Sequence, residues 1–166
     1  MSDPITMTVS VEVTISETIE SADEDIPDPD LLKAWAASAY LDESPAIASL
    51  LVTGADEIQA LNKQYRNQDK PTNVLSFPMQ SPDEVDVQLL GDIVLCAEVI
   101  RQEAKQQSKS EQSHWAHMVV HGMLHLQGYD HIDNEEAEAM EQLEIRILSQ
   151  LGLESPYEYS TDEKIK

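Results

Sequence analysis

The chain has 166 residues, 41% of them hydrophobic and 25% charged, a composition typical of one soluble globular domain with its own core. The formal net charge is −22, but six basic and seven acidic residues nearly cancel between Ala60 and Ser110. The acidic segments at both ends of the chain disfavour binding to a polyanion, whereas the nearly neutral segment from Ala60 to Ser110 is compatible with binding to nucleic acid. No apolar run reaches the length of a membrane span and no secretory leader opens the chain, so we expect no membrane partner. The single cysteine, Cys96, excludes an intramolecular disulfide and favours a cytoplasmic location.

Hydrophobic periodicity predicts alternating strands and helices along the chain. In order, the predicted segments are a strand at 9–13, an acidic loop at about 16–30, a helix at 31–41, a strand at 47–53, a helix from 56, strands at 73–77 and 90–96, helices at 97–107, 111–126 and 134–151, and a polar tail at about 155–166. Asp56 is expected to cap the second helix, with Ile58, Leu61 and Tyr65 on its buried face. This order predicts a single α+β domain over 1–166, with a small mixed β-sheet flanked by helices.

Three histidines follow the spacing H-x-x-x-H-x-x-G-x-x-H: His121, His125 and His131. Residues four apart share one helix face, so the first two imidazoles can reach one ion at the required nitrogen–metal distance of about 2.0–2.1 Å. Gly128 is expected to adopt a positive φ, end the helix and turn His131 toward the other two. Three neutral imidazoles leave one coordination position for water, which predicts a catalytic site with one zinc ion per chain.

The same spacing occurs in metzincin proteases, in which a glutamate after the first histidine is the general base. Gly122 occupies that position here, and Met140 lies in a predicted amphipathic helix rather than in a Met-turn. The pattern therefore predicts a metal-dependent hydrolase that is not a protease of that class.

Other polar residues near the motif have open roles. His114 and His117 lie on the ligand side of the same predicted helix, and each is interpreted as a hydrogen-bonded core residue or a residue that orients a ligand, with direct metal binding as the alternative. Asp92 and Asp130 are candidates for holding a ligand histidine in one tautomer or for acting as a base, with surface or capping roles equally open.

Four further blocks resemble the YbeY endoribonuclease family, also described as ribosomal RNA maturation factors. They are LNKQYR at 61–66, DKPTNVLSFP at 69–78, LGDI at 90–93 and HWAHMVVHG at 114–122. The resemblance extends from about 45 to 157. It implies a zincin-like fold and a zinc-dependent endoribonuclease that prefers single strands and acts in ribosomal RNA maturation and ribosome quality control. The implied partners are ribosomal RNA, the small ribosomal subunit and ribosome-associated proteins.

The resemblance places the metal ligands on His121, His125 and His131 and the functional arginine on Arg66, so that Arg66 and His121 are the candidate catalytic residues. The chemistry of zinc and of arginine is consistent with phosphodiester hydrolysis at these residues. Zinc lowers the pKa of bound water to about 7 and polarises a phosphoryl oxygen, so phosphodiester hydrolysis does not require a glutamate at position 122. A guanidinium binds two oxygens of a phosphate at once, and Arg66 is expected in the turn after the second helix.

A hypothesis from another class stays open: a non-catalytic ribosome-assembly factor whose metal site is structural. A strongly acidic chain with few aromatic residues for base stacking favours this alternative, whereas the open coordination position favours the enzyme. Lys63 and Lys70, on either side of Arg66, are weaker candidates for phosphate contacts.

Overall fold

The computed structural model describes residues 9–16, 19, 26–79, 86–130 and 133–156. The strands and helices follow the predicted order and are, along the chain, β1 (Val9–Ile15), α1 (Pro29–Ser38), β2 (Ala46–Thr53), α2 (Ala55–Arg66), β3 (Val74–Pro78), β4 (Gln88–Cys96), α3 (Ala97–Gln106), α4 (Glu111–Leu126) and α5 (Asn134–Gln150). The predicted α+β fold class is confirmed. None of the described helices is long and apolar enough to cross a membrane.

The four strands form one mixed sheet in the order β1-β2-β4-β3. The pairs β1–β2 and β2–β4 are parallel, and β3 runs antiparallel to β4. The short β3 therefore forms one edge of the sheet. This position leaves the outer side of β3 available to line a surface cleft.

Hydrophobic side chains cover both faces of the sheet, and alternate residues of β4 belong to the two clusters that do so. Ile93 and Leu95 belong to the main core with α1, α4 and α5, whereas Val94 and Cys96 point to the opposite face and pack with Ile58 of α2. Successive side chains of a strand alternate between faces, so a strand covered on both sides is apolar at every position. The continuous apolar run that predicted this strand reflects that burial.

The close packing of α4 against the sheet depends on Gly122. A β-carbon at this position would lie 2.9 Å from Cγ2 of Ile93, closer than carbon atoms approach in proteins. The backbone of α4 can lie this near to β4 only because position 122 carries no side chain. Packing thus leaves no room here for the glutamate that a metzincin protease requires.

Two details predicted for α2 are wrong. The N-cap is Gly54, and Asp56 lies in the first turn, where its charge interacts favourably with the helix dipole instead of capping the backbone. Tyr65 is 54% exposed rather than buried, because it lies near the sheet edge and packs edge-on against Phe77, with the ring centroids 5.3 Å apart. The buried face of α2 is formed by Ile58 and Asn62.

Candidate metal centre and its cleft

His121 and His125 meet on one face of α4, as their spacing predicts. Their Nε2 atoms lie 3.1 Å apart, and both side chains are partly buried. Two imidazole nitrogens directed at each other at this distance can bind a common cation. The third predicted ligand, His131, lies outside the described residues.

The turn after α4 has the geometry that the sequence predicts for Gly128. Its φ is +100°, its N–H donates to the carbonyl of His125 at 3.0 Å, and the N–H of Tyr129 donates to the carbonyl of Leu124 at 3.0 Å. These two bonds form a Schellman motif, which ends a helix and redirects the chain. A β-carbon at Gly128 would meet no atom within 4 Å, so the requirement for glycine here is conformational.

Glu144 of α5 connects two histidines of α4, a role that the sequence motifs did not predict. Its Oε2 lies 2.6 Å from Nδ1 of His121, and its Oε1 lies 2.9 Å from Nε2 of His117. The carboxylate is only 1% exposed. A signal was present: Glu144 lies four residues after Met140 and three before Ile147, both buried, so an acidic residue sits on the apolar stripe of α5.

The hydrogen bonds determine the charge of Glu144. Burial alone would raise the pKa of its carboxyl group, but the bonds from His117 and His121 outweigh burial and hold that pKa well below its usual range. Glu144 is therefore a carboxylate that accepts two hydrogen bonds inside the protein. A neutral His121 ring that donates its Nδ1–H to this carboxylate has its lone pair on Nε2, the atom that faces His125.

A second carboxylate binds His114, which lies near the N-terminal end of α4. Nε2 of His114 lies 2.8 Å from Oε1 of Glu103 on α3, which also accepts a hydrogen bond of 3.0 Å from Asn73. Burial lowers the pKa of His114, and the bond to Glu103 offsets part of that effect. The predicted interpretation of His114 and His117 as buried, hydrogen-bonded residues agrees with this geometry.

The histidine–carboxylate cluster could hold a metal ion. One ligand atom each from His117, His121 and Glu144 lies within 4.8 Å of the others. His121 belongs both to this group and to the pair with His125. The part of the chain that the structure describes thus contains a candidate metal site centred on His121.

Arg66 lines the same surface cleft as His121 and His125. It is the last residue of α2, one position earlier than the turn in which the sequence analysis placed it. Its Nη2 donates to the carbonyl of Ser76 at 2.6 Å, and its guanidinium carbon lies 5.1 Å from the centroid of the Phe77 ring. Edge strand β3 therefore orients the guanidinium through one donor and one aromatic face, which leaves other N–H groups to contact a ligand.

A cleft of about 550 Å³ joins these groups. The residues that line it include Arg66, Ser76, His121, His125, Tyr129 and Asp130. The structure thus brings Arg66, His121 and His125 to one surface, although Arg66 is 55 positions from His121 in the sequence.

Three other residues that the sequence suggested for the site lie in different places relative to the cleft. Asp130 lines the cleft, whereas Asp92 is exposed on β4 and makes no hydrogen bond to a histidine within the described ranges. Lys63 is exposed and its Nζ lies 3.9 Å from Oδ2 of Asp69, so its charge is partly compensated. A hydrogen bond from His121 to a carboxylate is seen at Glu144, while the roles predicted for Asp130 stay predictions.

The fold and this site together define a small α+β protein with a candidate metal centre on one buried helix. A sequence model of the family described as Endoribonuclease YbeY matches residues 12–152, and the chain belongs to that family. The protein described as Endoribonuclease YbeY from Alteromonas mediterranea is 51% identical over 136 residues, which cover 81% of this chain and 86% of its own. The one from Cellvibrio japonicus is 48% identical over 144 residues, covering 84% of this chain and 80% of its own.

A solved structure shares the fold. The solution structure of a Thermotoga maritima protein superimposes with a TM-score of 0.51 at 23% sequence identity, covering 85% of this chain and 91% of that one. The family identified from the sequence blocks, and with it the class of enzyme, is confirmed.

Proposed function

We propose that this chain is a metal-dependent endoribonuclease that cuts single-stranded RNA during ribosomal RNA maturation and ribosome quality control. The observation that carries the proposal is that Arg66 lines the same cleft as His121 and His125, in a chain that belongs to the Endoribonuclease YbeY family. A cleft that is lined by both a candidate cation site and a guanidinium suits a phosphodiester, which carries negative charge.

The metal is proposed to bind Nε2 of His121, Nε2 of His125 and a nitrogen of His131. Nitrogen–zinc bonds of about 2.0–2.1 Å in a tetrahedral arrangement separate two ligand atoms by about 3.3 Å. The 3.1 Å between the two Nε2 atoms is close to that separation. The 2.6 Å between Nδ1 of His121 and Glu144 is a hydrogen-bond distance, too short for an ion to lie between them. The residues therefore fit an ion on the cleft side of His121 better than one on its Glu144 side.

Zinc is the proposed ion, one per chain, because an all-histidine ligand set suits it. When bound there, zinc supplies Lewis-acid polarisation of a phosphoryl oxygen and lowers the pKa of water. Glu144 keeps His121 in the tautomer with its lone pair on Nε2 and fixes the plane of the ring. His121 therefore acts as a ligand whose orientation is set by another helix.

Arg66 is proposed to hold the scissile phosphate. Its bond to Ser76 and its contact with Phe77 fix the guanidinium before RNA arrives, so little side-chain freedom is lost when the phosphate binds. Paired N–H groups directed at two phosphate oxygens stabilise the charge that accumulates on them in the transition state.

Ribosomal RNA, the small ribosomal subunit and ribosome-associated proteins are the proposed partners, and the cytoplasm the proposed location. The nearly neutral segment from Ala60 to Ser110 supports an RNA partner, because it contains Arg66, which lines the cleft, together with Lys63 and Lys70, and most acidic residues of the chain lie outside this segment. The single, buried Cys96 is consistent with a reducing compartment.

Metal analysis combined with RNA cleavage tests the proposal. Purified wild type should contain close to one zinc per chain and should cut a single-stranded ribosomal RNA fragment internally, whereas His125→Ala should lose both metal and cleavage. Full metal occupancy without any cleavage, together with tight binding to the small ribosomal subunit, would instead support the non-catalytic assembly factor. Cleavage that persists in the metal-stripped protein would contradict a metal-dependent enzyme.

A further inference from the structure

Among the residues that the structure describes, the aromatic side chains are distributed unevenly between core and surface. Trp35, Trp115 and Tyr40 are buried in the core. Three described aromatic side chains are not buried: Tyr129 lines the cleft, Phe77 contacts the guanidinium of Arg66, and Tyr65 packs against Phe77. Single exposed aromatic side chains need no explanation, but one that lines a cleft beside a candidate metal site suggests a ligand with flat apolar faces.

Tyr129 differs from the other two because packing within the protein does not explain its position. Tyr65 contacts the Phe77 ring, and Phe77 supports Arg66. Tyr129 is 36% exposed, lines the cleft beside His125, and has no ring contact with another aromatic side chain in the described part of the chain. Of the large hydrophobic side chains that the described surface exposes, it is the one that lines this cleft.

The backbone at Tyr129 is held firmly. Its N–H donates to the carbonyl of Leu124 at 3.0 Å, in the turn whose geometry depends on Gly128. The same turn ends the helix that carries His121 and His125. The distance from the ring to the candidate metal site is therefore limited by one short, hydrogen-bonded turn.

We propose that Tyr129 is a base-binding residue, on which an unpaired nucleobase next to the scissile phosphate stacks. This inference rests on the proposed function and names the part of the RNA that the cleft recognises. A volume of about 550 Å³ lies within the range of small-ligand pockets, and Arg66 takes the phosphate while Tyr129 takes the base. Stacking on an aromatic ring accepts any of the four bases, so it selects for single strands rather than for sequence.

Stacking on Tyr129 also provides a physical reason for a single-strand preference. A base in a duplex is already paired and stacked, and it must leave the helix before it can lie on a protein ring, which costs free energy. An unpaired base does so without that cost. Duplex RNA should therefore bind this cleft more weakly than a single strand of the same sequence.

The test measures the affinity of a fluorescent single-stranded RNA oligonucleotide and the KM for its cleavage, with wild type, Tyr129→Leu and Tyr129→Phe. A set of the same oligonucleotide with one abasic position at a time identifies the stacked base. Tyr129→Leu should weaken binding and raise KM about 10-fold, and Tyr129→Phe should stay within about twofold of wild type, because phenylalanine keeps the ring. One abasic position should weaken RNA binding by wild type about 10-fold and should leave RNA binding by Tyr129→Leu unchanged.

Tyr65→Leu is the matched control, because it removes an exposed tyrosine that packs on Phe77 instead of lining the cleft. This variant should respond to the abasic position as wild type does. Unchanged affinity in Tyr129→Leu, or an abasic effect of equal size in Tyr129→Leu and wild type, would overturn the assignment. If wild type binds RNA through Tyr129 but does not cleave it, the proposed nuclease is contradicted and the base-binding role is supported. If wild type and Tyr129→Leu cleave RNA with the same KM, the nuclease is supported and the base-binding role is contradicted.

Discussion

Oε2 of Glu144 lies 2.6 Å from Nδ1 of His121, although 23 residues separate the two along the chain. The contact joins α5 to α4, and the other carboxylate oxygen binds His117 at 2.9 Å. A buried carboxylate between two imidazoles restricts the rotation and the tautomer of both rings. The candidate metal centre therefore depends on how the last described helix packs, as well as on the histidine motif.

Replacing Glu144 should weaken metal binding. Glu144→Leu removes both acceptors at similar volume, so we expect a 10- to 100-fold loss in zinc affinity and a loss of about 1–3 kcal/mol in the free energy of unfolding. Glu144→Gln keeps one acceptor and should lose less of both. Competition with a fluorescent zinc chelator and urea unfolding measure these effects. Glu141→Gln, an exposed change on the same helix, is the control, and a zinc affinity of Glu144→Leu equal to that control would refute this role.

Removing one ligand histidine should remove most of the metal. Wild type should bind one ion per chain, and His125→Ala should retain only a small fraction after dialysis, because two imidazoles bind zinc far more weakly than three. Elemental analysis gives the metal-to-protein ratio. His114→Gln removes a histidine of the same helix that is bound to Glu103 and should keep its metal. Equal metal content in His125→Ala and wild type would contradict the proposed ligand set.

Gly128→Ala should lower both the thermal stability and the zinc affinity, whereas the equivalent substitution of another glycine with a positive φ should lower the thermal stability alone. A β-carbon at a φ of +100° is strained by about 1–2 kcal/mol, which lowers Tm by about 2–4 °C per kcal/mol in a domain of this size. Gly152, with a φ of +83°, ends α5 in an equivalent turn, and a β-carbon there also meets no atom within 4 Å.

Gly152→Ala is therefore the matched control for that strain. Thermal melting and zinc titration should give similar Tm losses for the two variants, with weakened zinc binding only in Gly128→Ala, because only that turn leads to His131. Zinc binding that is unaffected in both variants would mean that the turn does not place a ligand.

Arg66→Lys should lose cleavage without loss of folding. Lysine keeps the charge but lacks the planar pair of donors, so kcat/KM for single-stranded RNA should fall at least 10-fold while Tm and metal content stay near wild type. Arg146→Lys, an exposed change on α5, should leave all three unchanged. Cleavage by Arg66→Lys within twofold of wild type would exclude the phosphate clamp, and a large drop in Tm would indicate that the bond to Ser76 is chiefly structural.

His114 should make the protein less stable in mild acid. Because burial lowers the pKa of His114 in the folded state, the unfolded chain binds more protons below the ordinary histidine value of about 6.5. Its contribution to stability is therefore complete above that pH and declines as the pH falls toward the lowered value, by at most about 1.4 kcal/mol per pH unit. The titratable groups that interact with His114 are Glu103, Lys109 and His117.

Urea unfolding of metal-stripped wild type and His114→Gln between pH 7.5 and 5 measures this effect. The stability advantage of wild type over the variant should shrink as the pH falls. Parallel pH profiles for the two proteins would show that His114 takes up its proton as easily in the folded protein as in the unfolded chain.

Local features of the site could be predicted because they depend on neighbours along the chain. The bounds of α4, 111–126, agree with those predicted, since an amphipathic run between an N-cap serine and a glycine turn needs no tertiary information. The meeting of His121 and His125 follows from the helical repeat, and the positive φ of Gly128 follows from the need to end the helix. The family was likewise evident from four short blocks in the sequence.

Tertiary packing alone decided which distant residues complete the site. Whether Glu144 meets His121 depends on the docking of α5 on α4, and whether Arg66 points into the cleft depends on a carbonyl and a ring of edge strand β3. Tyr65 was misassigned for the same reason: helical periodicity identifies one face of α2, but the sheet ends before it covers that position. The spacing of residues within a helix sets the angles between their side chains, whereas contacts between elements depend on the packing of all the side chains between them.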